Sequence, residues 1–431
     1  MAMVIKNNSS ATNTLNTLNR NSSALSKSLE KVSSGMRINS AGDDASGYAI
    51  SERMRVQTRA LDQDLKNTQN GNSMMKVAEG AVSSTVEILK TLKEKVINAA
   101  NDTNSDADRA TIQKELDQSI DQIDDNANIT YNGKYLVDGS HNKKGTATFT
   151  HLTNESLAED TDVTEAITKL RDRGGQSLNI QSTDTITLSY VKQGKTYVTS
   201  YSVGTKALED LFDGNDDITL RTSVSSYIGT DASGNTVYTA TGESAVTYRA
   251  KANGIDGQIS GLTISITDTN GAIRKSANAI LDNFTETIRA ENESVDNAIV
   301  LQTGTKANQA IKVAFTDMRS VALGLKGTDG TKLNIATQEK ANAAINVLES
   351  ALQKCLDQQT TIGSVESRLN FTASNLTTAS ENVQQSESTI RDADMAKEMT
   401  EYTKNNVLLQ AAQSMLAQAN QSSSAVLSLL Q

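Results

Sequence analysis

The chain has 431 residues, a formal net charge of -10 and a sequence pI near 5.0, so it lacks the basic field that a nucleic-acid binder presents. Proline and tryptophan are absent and aromatic residues make up 3%, which argues against a single massive core and leaves long helices unbroken. Cys355 is the one cysteine, so an intrachain disulfide framework is excluded.

The opening MAMVIKNNSSATNT has neither the basic n-region nor the apolar h-region of a cleaved secretory signal. No apolar run of about 18 residues occurs, so no membrane insertion is expected. These features predict a chain that is cytoplasmic or exported by a route that does not cleave it. Val4, Asn8, Ala11, Leu15, Leu18, Ser22, Leu25, Leu29 and Val32 step by three and four, which is an a/d stripe at coiled-coil spacing. The Gly-, Ser- and Asp-rich stretch SSGMRINSAGDDASG breaks it. Within that stretch Asp43 and Asp44 read as a helix start, where carboxylates meet free N–H groups, rather than as paired catalytic acids. Helical spacing resumes through Met75, Ala78, Val82, Thr85, Leu89, Leu92, Val96 and Ala99, and again through Ile112, Leu116, Ile120, Ile123 and Ala127. Asn132-Gly133 in ITYNGKYLVDG predicts a tight hairpin turn.

Between about 140 and 330 the period changes from helical to alternating. Ile186, Leu188 and Tyr190 alternate with polar neighbours, as do Tyr197, Thr199, Tyr201 and Val203 beyond KQGK, which predicts a hairpin. TVYTATGESAVTYRA and GLTISITDTNGA continue in the same style, and ANAILDNFTETIRAEN is expected to form a short helix. His141 and His151 are expected to be exposed loop residues. FDGNDD at 212–217 lacks the remaining ligands of a calcium loop and reads as a solvated acidic turn. No H-E-x-x-H, C-x-x-C, P-loop or dinucleotide fingerprint occurs, so no enzyme, metal or cofactor is expected.

From about 336 to the end the helical period returns, through Ala341, Ile345, Leu348, Leu352, Cys355 and Ile362 to Leu369, Leu376, Val383 and Ile390. Cys355 lies on that stripe and is expected to be a buried structural thiol. The last segment shows Leu408, Ala411, Met415, Gln418, Ser422, Ala425 and Leu429 at the same spacing. It carries no charge from Asn405 onward, and Val407, Leu408, Leu409, Leu416, Val426, Leu427 and Leu430 point several ways. A helix apolar on more than one face is buried on more than one face. The N-terminal stripe can cover one side; the pattern then leaves either an intramolecular coiled coil with frayed ends or self-association that buries the terminal helices among copies, and a head-to-tail contact that does not close builds an open helical filament. The expected fold class is α+β, with long terminal α-helices in a coiled-coil-like bundle and a β-rich central insertion.

LEKVSSGMRINSAGDDASGYAISERMR, QNGNSMMKVAEGA, ITYNGKYLVDG, DMRSVALGL, ESRLNFTASNL, ESTIRDADMAKEMTEYTKNNVLLQAAQSMLAQANQ and the closing VLSLLQ resemble the bacterial flagellins, the filament proteins, over about residues 1–140 and 310–431. The resemblance implies an inner-core helical domain from 1–44 with 391–431, an outer-core helical domain with a short hairpin from 45–140 with 310–390, and a variable β-rich surface domain over 141–309. It implies an extracellular, secreted subunit that self-assembles into the flagellar filament; a hook–filament junction protein of the same superfamily is the alternative. Leu15, Leu18, Leu25, Leu29, Val32, Leu408, Ala411, Met415, Val426, Leu427, Leu429 and Leu430 are the expected polymerisation interface. The implied partners are other copies, cap and junction proteins, and an export chaperone on the C-terminal segment. Flagellins that a host Toll-like receptor recognises strongly carry a helix resembling LQRVRELAVQSAN. The matching stretch here is LKTLKEKVINAAN, where Lys90, Thr91, Lys95 and Asn98 replace a glutamine, an arginine, a leucine and a glutamine, and Glu115 is kept. Thr91 removes a planar guanidinium, so weakened recognition is expected.

Overall fold

The computed structural model describes residues 8–220 and 225–429, the last eight of these as helical backbone only. Three helices open the chain: α1 (Ser9–Ser34), α2 (Ala45–Ala99) and α3 (Asp106–Ala127). The hairpin β1 (Thr130–Tyr131) and β2 (Lys134–Tyr135) turns at Asn132 and Gly133, both with positive φ, as the dipeptide predicts. The middle holds β3 (His151–Asn154), β4 (Thr185–Lys192), β5 (Lys195–Ser202), β6 (Ile218–Leu220), β7 (Tyr227–Thr230), β8 (Thr236–Tyr238), β9 (Val246–Ala250) and β10 (Ile259–Thr267). It continues through α4 (Lys275–Leu281), β11 (Thr285–Ile288), β12 (Ile299–Gln302) and β13 (Ala310–Val313). Two helices close the chain, α5 (Gln338–Arg391) and α6 (Met395–Leu429). Long terminal helices around a strand-rich middle make this the α+β architecture expected.

The chain divides into two compact units, residues 69–302 with 310–370, and residues 1–68 with 303–309 and 371–431. The larger unit has two apolar cores. One lies among α2, α3 and α5, where Met75, Val82, Leu89, Leu92 and Val96 meet Leu116, Ile120 and Ile123 and then Leu348, Cys355 and Ile362. The α2 stripe read from the sequence is buried throughout, its apolar positions all within this core. The other core fills the insertion. Ile186, Leu188 and Tyr190 on β4 and Ile264 and Ile266 on β10 pack with Tyr248 on β9 and Leu281 on α4. One antiparallel sheet there runs β10-β4-β5, and a four-stranded one runs β11-β3-β9-β6. The β4–β5 hairpin turns at Gln193 and Gly194, again both with positive φ.

The predicted helix over ANAILDNFTETIRAEN is half right. It ends as α4 at Leu281, and Thr285–Ile288 is instead strand β11 paired to β3. β-Branched residues at 285, 287 and 288 favour the pleated surface once a partner strand lies alongside. His151 is likewise a correction: it sits buried in β3, with its Nδ1 3.1 Å from the Phe149 carbonyl oxygen. His141 is half-buried in a turn, with its Nδ1 3.1 Å from the Asn297 carbonyl oxygen. In FDGNDD, Asp216 is solvated, but Asp217 accepts from Tyr190 Oη at 2.9 Å and pairs with Lys192 at 2.6 Å.

In the smaller unit α1 and α6 run antiparallel. Asn8 Nδ2 donates to the Ala419 carbonyl at one end, Asn21 Nδ2 donates to the Leu408 carbonyl midway, and Lys31 pairs with Glu398 at the other end. The bends that end α1 and α5 meet side by side. Gly35 closes α1 at φ 70, where a left-handed residue can reach back to the Lys31 carbonyl. Met36 and Asp392 form a β-bridge, and Arg37 N donates to the Arg391 carbonyl at 2.7 Å. The Arg391 side chain is buried over the Tyr48 ring and donates to Glu52 Oε1 at 2.6 Å. Asp44 caps α2 by accepting from Ser46 N and Gly47 N, and Asp43 accepts from Asn39 N and Ser40 N. These backbone N–H bonds hold both carboxyls below their ordinary range. The pair is structural, as its position at a helix start predicted.

Candidate functional site

The α1–α6 pair carries the candidate assembly surface. α1 turns Ala11, Leu18, Leu25, Ser28 and Val32 inward, so Leu18, Leu25 and Val32 are partly covered within the chain. Leu15 and Leu29 of the same predicted stripe point outward, Leu29 with 52% of its surface exposed. The seam drifts because a straight helix turns by 3.6 residues and not 3.5. It is polar at several positions: Ser28 is buried and receives a hydrogen bond from Asn405 Nδ2 at 3.0 Å.

On α6 the covered face is one residue away from the predicted one. Asn405, Leu409, Ala412, Leu416 and Ala419 lie toward α1, whereas Leu408, Ala411 and Met415 lie in solvent. Met415 is 63% exposed and Leu408 is 42% exposed, with Val407 exposed beside them, whereas Met395 and Met399 are exposed on another side of the helix. α6 therefore carries an apolar stripe beyond the one it spends on α1, as a helix greasy on several sides should. The side chains of Val426, Leu427 and Leu429, and the whole of Leu430, lie outside the described residues. So does Val4.

The expected receptor face on α2 is also on the surface. Lys90, Thr91 and Asn98 are exposed on successive turns. Lys90 pairs with Glu87 at 2.8 Å, and Thr91 Oγ1 donates to the Glu87 carbonyl. Lys95 reaches α3 and pairs with Glu115 at 3.1 Å. The structure thus brings Lys95 and Glu115 together and leaves no guanidinium at the centre of the face.

Among the described residues no cluster of three or more His, Cys, Asp or Glu side chains could hold a metal ion. None of the described helices is long and apolar enough to cross a membrane. Cys355 is fully buried with its Sγ 3.8 Å from Met318 Sδ, and burial pushes its thiol up to about 12.

A family model of the bacterial flagellin N-terminal helical region matches residues 5–142, and one of the C-terminal helical region matches residues 345–430. A flagellin of Clostridium tyrobutyricum is 35% identical, over 97% of this chain and 99% of its own. This chain belongs to the bacterial flagellins. A flagellin of Bacillus subtilis is 31% identical over 99% of this chain and 100% of its own. Among solved structures, a flagellar junction protein of Legionella pneumophila overlaps with a TM-score of 0.30 at 16% identity, over 74% of this chain and 99% of that chain. As a flagellin, the protein is a structural subunit of the flagellar filament that self-assembles in an extracellular organelle of motility.

Proposed function

We propose that this flagellin polymerises through the faces of α1 and α6 that its own fold leaves uncovered. Leu15, Leu29, Leu408, Ala411 and Met415 meet neighbouring copies, while Leu18, Leu25 and Val32 hold the intrachain pair. The single observation that carries this reading is the apolar surface of Leu29, Leu408 and Met415 standing in solvent on helices already paired once. The segment 1–44 with 391–431 forms an inner core, 45–140 with 310–390 an outer core, and 141–309 the outward surface. Val426, Leu427, Leu429 and Leu430 extend the same interface to the chain end. The protein is not an enzyme. It is secreted, and the uncharged stretch from Asn405 is held by an export chaperone before other copies cover it. Contacts with cap and junction proteins use the same terminal helices. Host Toll-like receptor recognition is weak because Thr91 replaces the central arginine and Lys95 is neutralised by Glu115.

The test seeds purified full-length chain, and a chain ending at Asn405, with short sheared filaments, followed by sedimentation and electron microscopy. Growth of the full chain with a soluble truncated chain supports copy-to-copy burial of the tail. Equal growth of both would assign the tail to another partner, and growth of neither would refute the assembly interface.

A further inference from the structure

The sequence gives no sign of a ligand site in the insertion, but the fold makes one. Strands β10, β4 and β5 turn their odd and even residues to opposite sides. One side holds Ile264, Ile186, Leu188 and Tyr190 in the core. On the other, Thr263, Ser265 and Thr267 pair across to Ser189, Thr187 and Thr185. Next to these, across β5, stand Val198, Ser200 and Ser202. That face is paved with hydroxyls and carries no charge. β-Branching alone favours Thr on a strand; where such a face is also enclosed, its short hydroxyls can both donate to and accept from a ligand. Some hydroxyls bond each other, as Thr187 Oγ1 does to Ser200 Oγ at 3.1 Å, and each pair keeps capacity to spare.

The first turns of α5 stand over this face and close a cleft of about 510 Å³, inside the range of about 300–1,000 Å³ that takes small ligands. Glu339, Asn342 and Asn346 follow one another at helical spacing along its wall. Asn346 Nδ2 donates to the Leu262 carbonyl at 3.3 Å, whereas Asn342 and Glu339 make no side-chain hydrogen bond among the described residues. Asp282 lies at the far end, accepting from Ile264 N at 3.3 Å. Burial pushes its carboxyl up to about 7, so near neutral pH it donates as well as accepts. Ile273 and Ile345 supply apolar surface. The lining contains no Lys, Arg or His to hold an anion and no aromatic ring to stack a base.

We propose that the cleft between the hydroxyl face of β10 and β4 and the first turns of α5 binds a neutral saccharide. Hydroxyls, carboxamides and a carboxyl match the alternating donors and acceptors of a sugar, and the isoleucines match the apolar face of its ring. The proposal is independent of the assembly reading, since every residue lining the cleft belongs to the larger compact unit and none to α1 or α6.

The full-length chain is mixed in turn with maltose, cellobiose, lactose and N,N′-diacetylchitobiose, and binding is read by saturation-transfer NMR. The variants are Asn342→Leu, on an exposed helix face, and Thr267→Val, which keeps the β-branched shape and breaks no intrachain side-chain bond. Transfer to at least one sugar is expected, weakened about fivefold by either variant while circular dichroism stays unchanged. In parallel, filaments are passed over amylose, cellulose and chitin beads. Retention together with transfer assigns the glycan of a surface, and transfer without retention assigns a free sugar. No transfer to any of the sugars, or transfer unchanged in both variants, overturns the proposal.

Discussion

Gly261→Ala tests how the outer sheet is seated on its helix. Gly261 lies in β10 with φ +64, where the pairing to β4 shifts register between Ser260 and Thr263. A Cβ at this position would press on the Ala343 carbonyl oxygen and stand 2.6 Å from Val347 Cγ2. The left-handed backbone costs an alanine about 1–2 kcal/mol. Crowding adds about 1–3 kcal/mol, because a carbonyl locked in the α5 ladder cannot turn aside. Alanine returns about 0.4–1 kcal/mol by stiffening the unfolded chain. The net loss is about 1–5 kcal/mol, a fall in melting temperature of roughly 2–7 °C for a unit of this size. Urea unfolding is followed by tyrosine fluorescence, because the chain has no tryptophan. Hydrogen exchange then locates the loss, which is expected in 259–267 and the facing turns of α5, with seeded assembly intact. A loss under about 1 kcal/mol, or one spread evenly over α2 and α3, would refute the reasoning.

The remaining predictions concern the assembly face and two buried groups. Met415→Ala removes side-chain surface that is 63% exposed in the single chain. If copies bury it, about 1–2 kcal/mol is lost and the critical concentration for assembly rises about five- to thirtyfold; an unchanged value in a sedimentation assay would exclude this residue from the interface. Glu286 is held by burial at about 7, above its ordinary 4.5, although Arg289 lies 3.6 Å away and Lys354 opposes the shift. The folded state thus keeps this proton where the unfolded chain has lost it. Its contribution is favourable below the ordinary value and is lost as pH rises through about 7. Glu286→Gln should therefore flatten the fall in stability between about pH 4.5 and 7; an unaltered slope in pH-dependent melts would contradict the assignment. Cys355, with its thiol raised to about 12 and no exposed surface, should resist a thiol reagent in native protein and react fully in denaturant. Rapid native labelling, measured by mass spectrometry, would show that α5 opens there.

The sequence by itself determined the features that a few neighbouring residues decide. The helical stripes of α2, α3 and α5, the Asp44 cap, the Asn132-Gly133 and Gln193-Gly194 turns and the buried Cys355 are all of this kind. Each follows from spacing or from a residue's own backbone preference. The flagellin motifs at both ends also lay open, and with them the architecture and the filament role. The contact face of α6 did not. Leu408-Leu409, Ala411-Ala412 and Met415-Leu416 are apolar doublets, so two stripes about 100° apart fit the pattern equally well. The antiparallel pairing with α1 selects the second, through Asn405 on Ser28 and Asn21 on the Leu408 carbonyl. Those seam residues are polar, so hydrophobicity could not mark them. β11 became a strand and His151 became buried only because β3 lies between β11 and β9. The hydroxyl face of β10 becomes the floor of a cleft only because α5, distant in sequence, closes over it. Local pattern fixes which elements form; which of their faces meet is settled by partners far away in the chain.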